Sequence, residues 1–348
     1  MSENKRLYLD EFCPRSELVV EEHIVEKPAF PVIDMHCHLG LALLGEEFLA
    51  TYDMGEVVEK LQQMSIIKIV VLEWAGDWDK IMAKIRPYED FIIPYGYVDF
   101  SLFEDKGFEK YVVKAMTRMK ENGVRGIKVW KNLGLGLKDS NGKYVRLDDP
   151  RLDVVWKSAG EFGLPIVIHI ADLRAFFKTA DRFNEQYEVL KQVPGWSFCK
   201  PEFYTYEQLM EMQENIIGGN PDTTFVVAHV GSSSEDLSYV CRSLDRFPNM
   251  HVDIAARISE LGRQPYTARK FFNCYQDRIL FGSDLFPDSD IRKFYSVYFR
   301  FLETWDEYFD YDYGSLPSLG RWKIYGLGLE PDVLEKVYRK NAERILKL

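Results

Sequence analysis

The chain is poor in cysteine: five in 348 residues, at Cys13, Cys37, Cys199, Cys241 and Cys274, with no two spaced C-x-x-C. An odd, scattered set reads as free thiols in a reducing compartment rather than as a disulfide framework. Long apolar runs are also missing, and none approaches the roughly 18 residues that a membrane helix needs. Basic runs are absent too. Lys and Arg number 44 against 55 Asp and Glu, a net charge of −11. Such a balance repels phosphate backbones and anionic membrane surfaces, which excludes nucleic acid and membrane as expected partners. A small-molecule substrate remains, with self-association left open. The N-terminal Met1-Ser2-Glu3-Asn4-Lys5-Arg6 is polar and no apolar signal core follows it, so the expected location is cytoplasmic. Three cofactor and nucleophile motifs fail as well. No G-x-x-x-x-G-K-[ST] phosphate loop and no G-x-S-x-G elbow occur, and Gly134-Leu135-Gly136-Leu137-Lys138-Asp139 lacks the third glycine of a dinucleotide fingerprint.

What is present is a rhythm. Hydrophobic residues make up 46% of the chain, enough for a large core. Residues 1–30 are charged and irregular and read as an arm lying on the surface. From Val32 onward, short β-branched runs alternate with longer amphipathic stretches, the pattern of βαβ units and a parallel sheet. Eight runs predict strands: Val32–His38, Ile66–Trp74, Phe91–Phe100, Val124–Trp130, Pro165–Ala171, Thr224–Val230, Met250–Ala256 and Arg278–Asp284. Helices are predicted at Met54–Met64, Phe108–Glu121, Pro150–Phe162, Leu237–Phe247 and Tyr266–Tyr275. Eight strands point to an α/β closed (β/α)8 barrel over residues 31–348. Two aromatic-rich insertions, about Leu173–Asp222 and Leu285–Trp322, follow the fifth and eighth strands, where barrel active sites are built. They read either as substrate walls or as covers for the barrel.

Histidine is scarce, six in all, and its placement carries the chemistry. In Asp34-Met35-His36-Cys37-His38, strand alternation sends His36 and His38 to one face, where two neutral imidazoles can chelate one divalent cation. Asp34 has the same parity and would support a histidine from behind. His169 and His229 each end an apolar strand on the same face. Asp284 closes Arg278–Asp284, and a carboxylate after so apolar a run needs a positive partner to be buried. His36, His38, His169 and Asp284 are therefore expected to ligate one divalent metal ion, zinc or else manganese. His229 stays free beside them for catalysis with Asp284. His23, in the arm, and His251, at the start of a strand, read as structural. Lys128, Arg257 and Trp130 are candidate substrate-binding residues, and Arg174 is a further candidate for the pocket wall.

In this ordered set the chain resembles the amidohydrolase superfamily. It looks most like the branch with aminocarboxymuconate-semialdehyde decarboxylase and related metal-dependent small-acid hydrolases and decarboxylases. The resemblance runs from about Val32 to Leu348 and includes Gly282-Ser283-Asp284 and the closing Tyr338–Leu346 segment. It implies a metal-dependent hydrolase acting through an activated water on an amide, lactone or ester, with non-oxidative decarboxylation as the alternative. A non-catalytic, small-acid-binding barrel is a third reading. In some members a strand-four lysine is carbamylated and bridges two metals. For Lys128 this stands beside pairing with a substrate anion or a structural ion pair.

Overall fold

A computed structural model describes residues 6–8, 11–12, 14–40, 45–73, 76–287, 290–311 and 319–348. Trp74, the expected end of the second strand, and Cys13 lie outside the described residues. Strands and helices alternate eight times: β1 (Val32–Cys37), α1 (Met54–Gln63), β2 (Ile66–Val71), α2 (Trp78–Ile85), β3 (Ile92–Pro94), α3 (Phe108–Glu121), β4 (Ile127–Val129), α4 (Asp153–Phe162), β5 (Ile166–Ile168), α5 (Tyr206–Gly219), β6 (Phe225–Val227), α6 (Leu237–Arg246), β7 (Met250–Asp253), α7 (Pro265–Cys274), β8 (Ile279–Leu280) and α8 (Ile291–Glu303). The strands are parallel, paired in the orders β1-β2-β3 and β4-β5-β6-β7-β8.

Two seams join these sheets into a ring. Between β3 and β4, Gly96 N–H donates to Gly126 C=O at 2.9 Å and Lys128 N–H to Gly96 C=O at 2.7 Å. Between β8 and β1, Met35 N–H donates to Phe281 C=O at 3.0 Å, Asp284 N–H to His36 C=O at 2.7 Å and His38 N–H to Leu285 C=O at 2.8 Å. The expected (β/α)8 barrel is thus the fold, and its last seam is made by the residues that carry the histidine pair and Asp284.

Strand alternation divides the core in two. Ile33, Met35, Val70, Leu72, Ile93, Tyr95, Val167, Val226 and Leu280 fill the barrel interior. Val32, Ile69, Val71, Ile166, Ile168, Phe225 and Val227 point outward into the layer against the helices. The helices supply matching faces: α3 buries Phe108, Val112 and Met116, spaced four apart on one side. Thr205 and Gln208 form a capping box that starts α5, and Gly163 at φ 63° ends α4. The terminal helical segments Pro331–Glu335 and Asn341–Leu346 flank a π-helical stretch, Lys336–Lys340. There Val337 C=O accepts from Phe281 N–H at 2.9 Å, a bond outside its own helix, while Ala342 and Leu346 complete the interior cluster.

The insertions are shorter than the sequence suggests, because each expected span contained the barrel helix of its repeat, α5 or α8. What remains is 169–205 and 304–330, and the two meet. Arg321 pairs with Glu188 at 2.6 Å, Gln186 donates to Leu319 C=O at 2.7 Å, and Arg263 bonds Glu185 at 2.9 Å while lying 3.8 Å over the Trp322 ring. The arm is tied down along α8 and the segment after it: His23 N–H donates to Asp306 at 2.7 Å and Ala29 N–H to Glu303 at 3.0 Å. The four described cysteines are free. Among the described residues no helix is long and apolar enough to cross a membrane.

Two outcomes follow from this packing. Leu346→Ala should lower the unfolding free energy in urea by about 2–5 kcal/mol, whereas Val113→Ala on the exposed face of α3 should change it by about 0.5 kcal/mol or less. Equal effects would contradict the interior role of the terminal helix. His251, at the start of β7, is held down at about 3 by burial and then by the charges of Arg278 and Arg344. The unfolded chain binds that proton near pH 6.5, so this site's contribution to stability is present above about 6.5 and is lost as pH falls towards 3. Between pH 7 and 5, His251→Gln should lose about 2 kcal/mol less than the parent protein, and identical slopes would contradict this.

Candidate active site

The functional side chains stand where β1, β4, β5, β6, β7 and β8 end. Approach is close there. A Cβ on Gly282 would lie 3.0 Å from His36 Cβ and 3.1 Å from Asp253 Cβ, which explains the glycine in Gly282-Ser283-Asp284. Backbone strain collects at the same ends. His229, Val230, Ala256 and Asp284 have φ of 57°, 57°, 51° and 69°, a region that side-chain-bearing residues rarely adopt.

His36, His38 and Asp284 converge, with one donor atom from each lying within 4.8 Å of the others. His38 Nε2 is 3.1 Å and His36 Nε2 is 3.6 Å from an Asp284 carboxylate oxygen. Behind them is a residue that the sequence reading passed over. Asp253, fully buried at the end of β7, accepts from His36 Nδ1–H at 2.8 Å through one oxygen. Its other oxygen accepts His229 N–H at 2.8 Å and Ala255 N–H at 3.1 Å. The bond fixes the His36 tautomer and leaves Nε2 with its lone pair facing Asp284. His36 is held well below its usual value, by burial first and then by Lys128, so it stays neutral as a ligand must. Two imidazoles, one carboxylate and a carboxylate behind a histidine make a donor set that fits a divalent cation.

Asp284 sits only partly shielded. Burial raises its pKa, but the His38 hydrogen bond and the fields of His36, His38 and His229 outweigh that and hold it well below the carboxylate range. His229 donates from Nδ1 to Ala255 C=O at 2.8 Å, so its Nε2 is the unprotonated nitrogen. Burial, then His169 and Arg257, hold it neutral. The His36 and His229 rings lie 5.0 Å apart, and those of His169 and His229 4.3 Å.

Three of the expected site residues have partners of their own. His169 stands outside the converging group: its Nε2 is bonded to Asp172 at 3.2 Å, and Asp172 is paired with Lys131. Burial lowers His169 to about 4 against the pull of Asp172. Asp34 does not share the face of the histidines, because register shifts interrupt the β1–β2 pairing between Asp34 and Cys37. Its carboxylate instead accepts Tyr295 O–H at 2.6 Å, Ser283 N–H at 3.1 Å and His36 N–H at 2.9 Å, and burial pushes it up to about 6. Arg174 turns to Asp236 at 3.3 Å and the Tyr206 ring at 4.8 Å, which anchors the first insertion to α6.

Lys128 is buried in the centre, with Nζ 3.3 Å from His36 Nε2. Burial brings it down to about 8, against the attraction of Asp284, Asp253 and Glu73. Arg257 is buried after β7, donates to Ala256 C=O at 2.7 Å and is felt by both His229 and Glu260. Trp130 is half-buried directly after β4, its ring 6.0 Å from Lys131 Nζ. Phe286, which the sequence reading did not single out, stacks on His38 with centroids 5.0 Å apart. Glu73, also missed, follows β2 and accepts the N–H groups of Leu39 and Gly40 just beyond His38.

No curated protein matches the sequence. Solved structures match it in fold. A 2,6-dihydroxybenzoate decarboxylase complexed with 2,6-dihydroxybenzoate aligns at a TM-score of 0.56 and 12% identity, over 92% of this chain and 100% of that one. A 4-oxalomesaconate hydratase from Rhodopseudomonas palustris aligns at 0.51 and 13%, over 91% and 95%. An amidohydrolase from Burkholderia multivorans with bound zinc aligns at 0.50 and 11%, over 91% and 99%. The sequence itself matches the amidohydrolase family model over residues 33–348, and with the barrel and its histidine–aspartate cluster in place, this chain belongs to that family.

Proposed function

We propose that the protein is a metal-dependent hydrolase that cleaves a C–N or C–O bond, in an amide, lactone or ester, of a small carboxylated substrate. The convergence of His36, His38 and Asp284 over the buried Asp253 carries this reading. A divalent cation there, zinc in the first instance and manganese in the second, supplies Lewis acidity that no side chain of the site has. The zinc in the Burkholderia structure supports that choice. His169 is the candidate fourth ligand, and it would have to leave Asp172 to serve.

The chain's own groups divide the remaining work. Asp284 is ionised and partly exposed, so it takes a proton from a water in the barrel mouth. His229 presents an unprotonated Nε2 while Ala255 holds its other nitrogen, so it can take up a proton and return it to a leaving group. Lys128 and Arg257 bring positive charge towards a substrate carboxylate, Arg257 as a planar fork. Trp130 offers an apolar wall.

A second reading rests on Phe286 stacked against His38, which puts a flat apolar surface beside the donors and suits an aromatic acid. Under it the reaction is non-oxidative decarboxylation: Asp284 or His229 takes a proton from solvent and delivers it to the carbon as CO₂ leaves. The decarboxylase among the structural matches supports it at the level of fold.

Screening carboxylated amides, lactones and esters alongside aromatic acids separates the two. Cleavage without CO₂ is expected, and CO₂ release from the acids alone would assign decarboxylation instead. On any substrate found, Asp284→Asn and His229→Asn should each lower kcat by about 10²-fold or more. Unchanged kcat in both would remove them from the mechanism. Asp253→Asn should weaken zinc binding by about 10–100-fold in competition with a chromogenic chelator, because the acceptor behind His36 loses its charge. Unaltered affinity would contradict its supporting role.

A further inference from the structure

We propose that Tyr298 is a positioning residue whose single hydroxyl sets Asp284 and His229 in register with each other. The inference rests on the reading of those two residues given above. Tyr298 lies on α8, fully buried, its ring packed between Phe281 and Phe294 at centroid distances of 5.6 and 5.5 Å. Its O–H donates to Ser283 C=O at 2.8 Å and its oxygen accepts Ala256 N–H at 2.9 Å.

One partner is joined directly to a reacting group, and the other reaches one through a peptide bond and a hydrogen bond. Ser283 immediately precedes Asp284. Ala256 immediately follows Ala255, whose carbonyl holds the His229 Nδ1 proton at 2.8 Å. Both Asp284 and Ala256 are left-handed, with φ of 69° and 51°. Such backbone persists only where its surroundings over-determine it. The hydroxyl is placed to do so at both strand ends at once, from a helix outside the barrel. It links β7 and β8 beyond the last residues of their ladder, which ends at Asp253 and Leu280.

Tyr298→Phe keeps the ring and removes both bonds. The test uses full-length protein without a metal-binding tag and reads zinc affinity by chelator competition, together with thermal unfolding of the metal-free form. The control is Tyr338→Phe, which removes another buried hydroxyl, bonded to Glu303 at 2.8 Å. Both variants should lower the unfolding temperature. Tyr298→Phe should also weaken zinc binding by about tenfold or more, while Tyr338→Phe should leave it within about twofold of the parent. If Tyr298→Phe binds zinc as the parent does while His36→Ala does not, the positioning role is overturned and the metal site stands. If His36→Ala binds zinc as tightly as the parent, the site reading falls and this proposal falls with it. Should Tyr298→Phe not fold, Ala256→Gly supplies the second background, since glycine adopts the left-handed turn without cost. The double variant should then bind zinc about tenfold more weakly than Ala256→Gly alone, and equal affinities would overturn the proposal.

Discussion

Asp253 is the constraint on which the rest of the site depends. A carboxylate with no access to water must have its oxygens occupied by donors, or its burial is very costly. The three donors it takes are the His36 imidazole and the N–H groups of His229 and Ala255. One bond fixes a tautomer, and the other two hold the backbone where β6 and β7 leave the sheet. The left-handed turns at His229, Val230 and Ala256 surround those bonds. Burial still raises the Asp253 pKa, against the lowering pull of His229 and Lys128. The carboxylate is thus retained in a place where a neutral core would have been easier to build.

The same economy of position appears at the opposite seam. β8 closes the barrel on β1, and the bonds that close it lie at Met35, His36, His38 and Asp284. The donor atoms are therefore not grafted onto a finished scaffold. They stand on the hydrogen bonds that finish it. Asp34, bonded to Tyr295 and to two backbone N–H groups, locks that corner from the helix side. The placement a cation site demands is thus tied to the hydrogen bonds that close the barrel.

Much of this was legible in the sequence. Every predicted strand exists, because β-branched runs flanked by glycine and proline leave few alternatives. Each is shorter than its apolar run: Phe91–Phe100 keeps ladder geometry only over Ile92–Pro94, and Arg278–Asp284 only over Ile279–Leu280. Some of the lost residues, such as Gly282-Ser283-Asp284, turn into the site, where geometry is set by tertiary bonds that no local pattern encodes. The convergence of His36, His38 and Asp284 was readable from parity and strand ends. The fate of Asp34 was not, since an irregularity in β1 reverses the alternation on which that reading relied. Asp253 had a signal that went unused: it is a carboxylate in the apolar run from Val252 to Ala256, the same argument that singled out Asp284. His169 was placed correctly at the end of β5, but its pairing with Asp172 depends on where the chain goes next.

Lys128 marks the point where charge is most finely set. Its amine is buried against a histidine that must stay neutral, among carboxylates that pull it back towards the charged form. Under the proposed function a free amine goes with one cation, whereas a bridging carbamate on it would go with two. The direct test of the account is elemental analysis of metal per chain, on protein purified without chelator or metal-binding tag. The account predicts about one zinc or manganese per chain, held by the histidine–aspartate cluster. A chain that holds neither metal after incubation with both would contradict it.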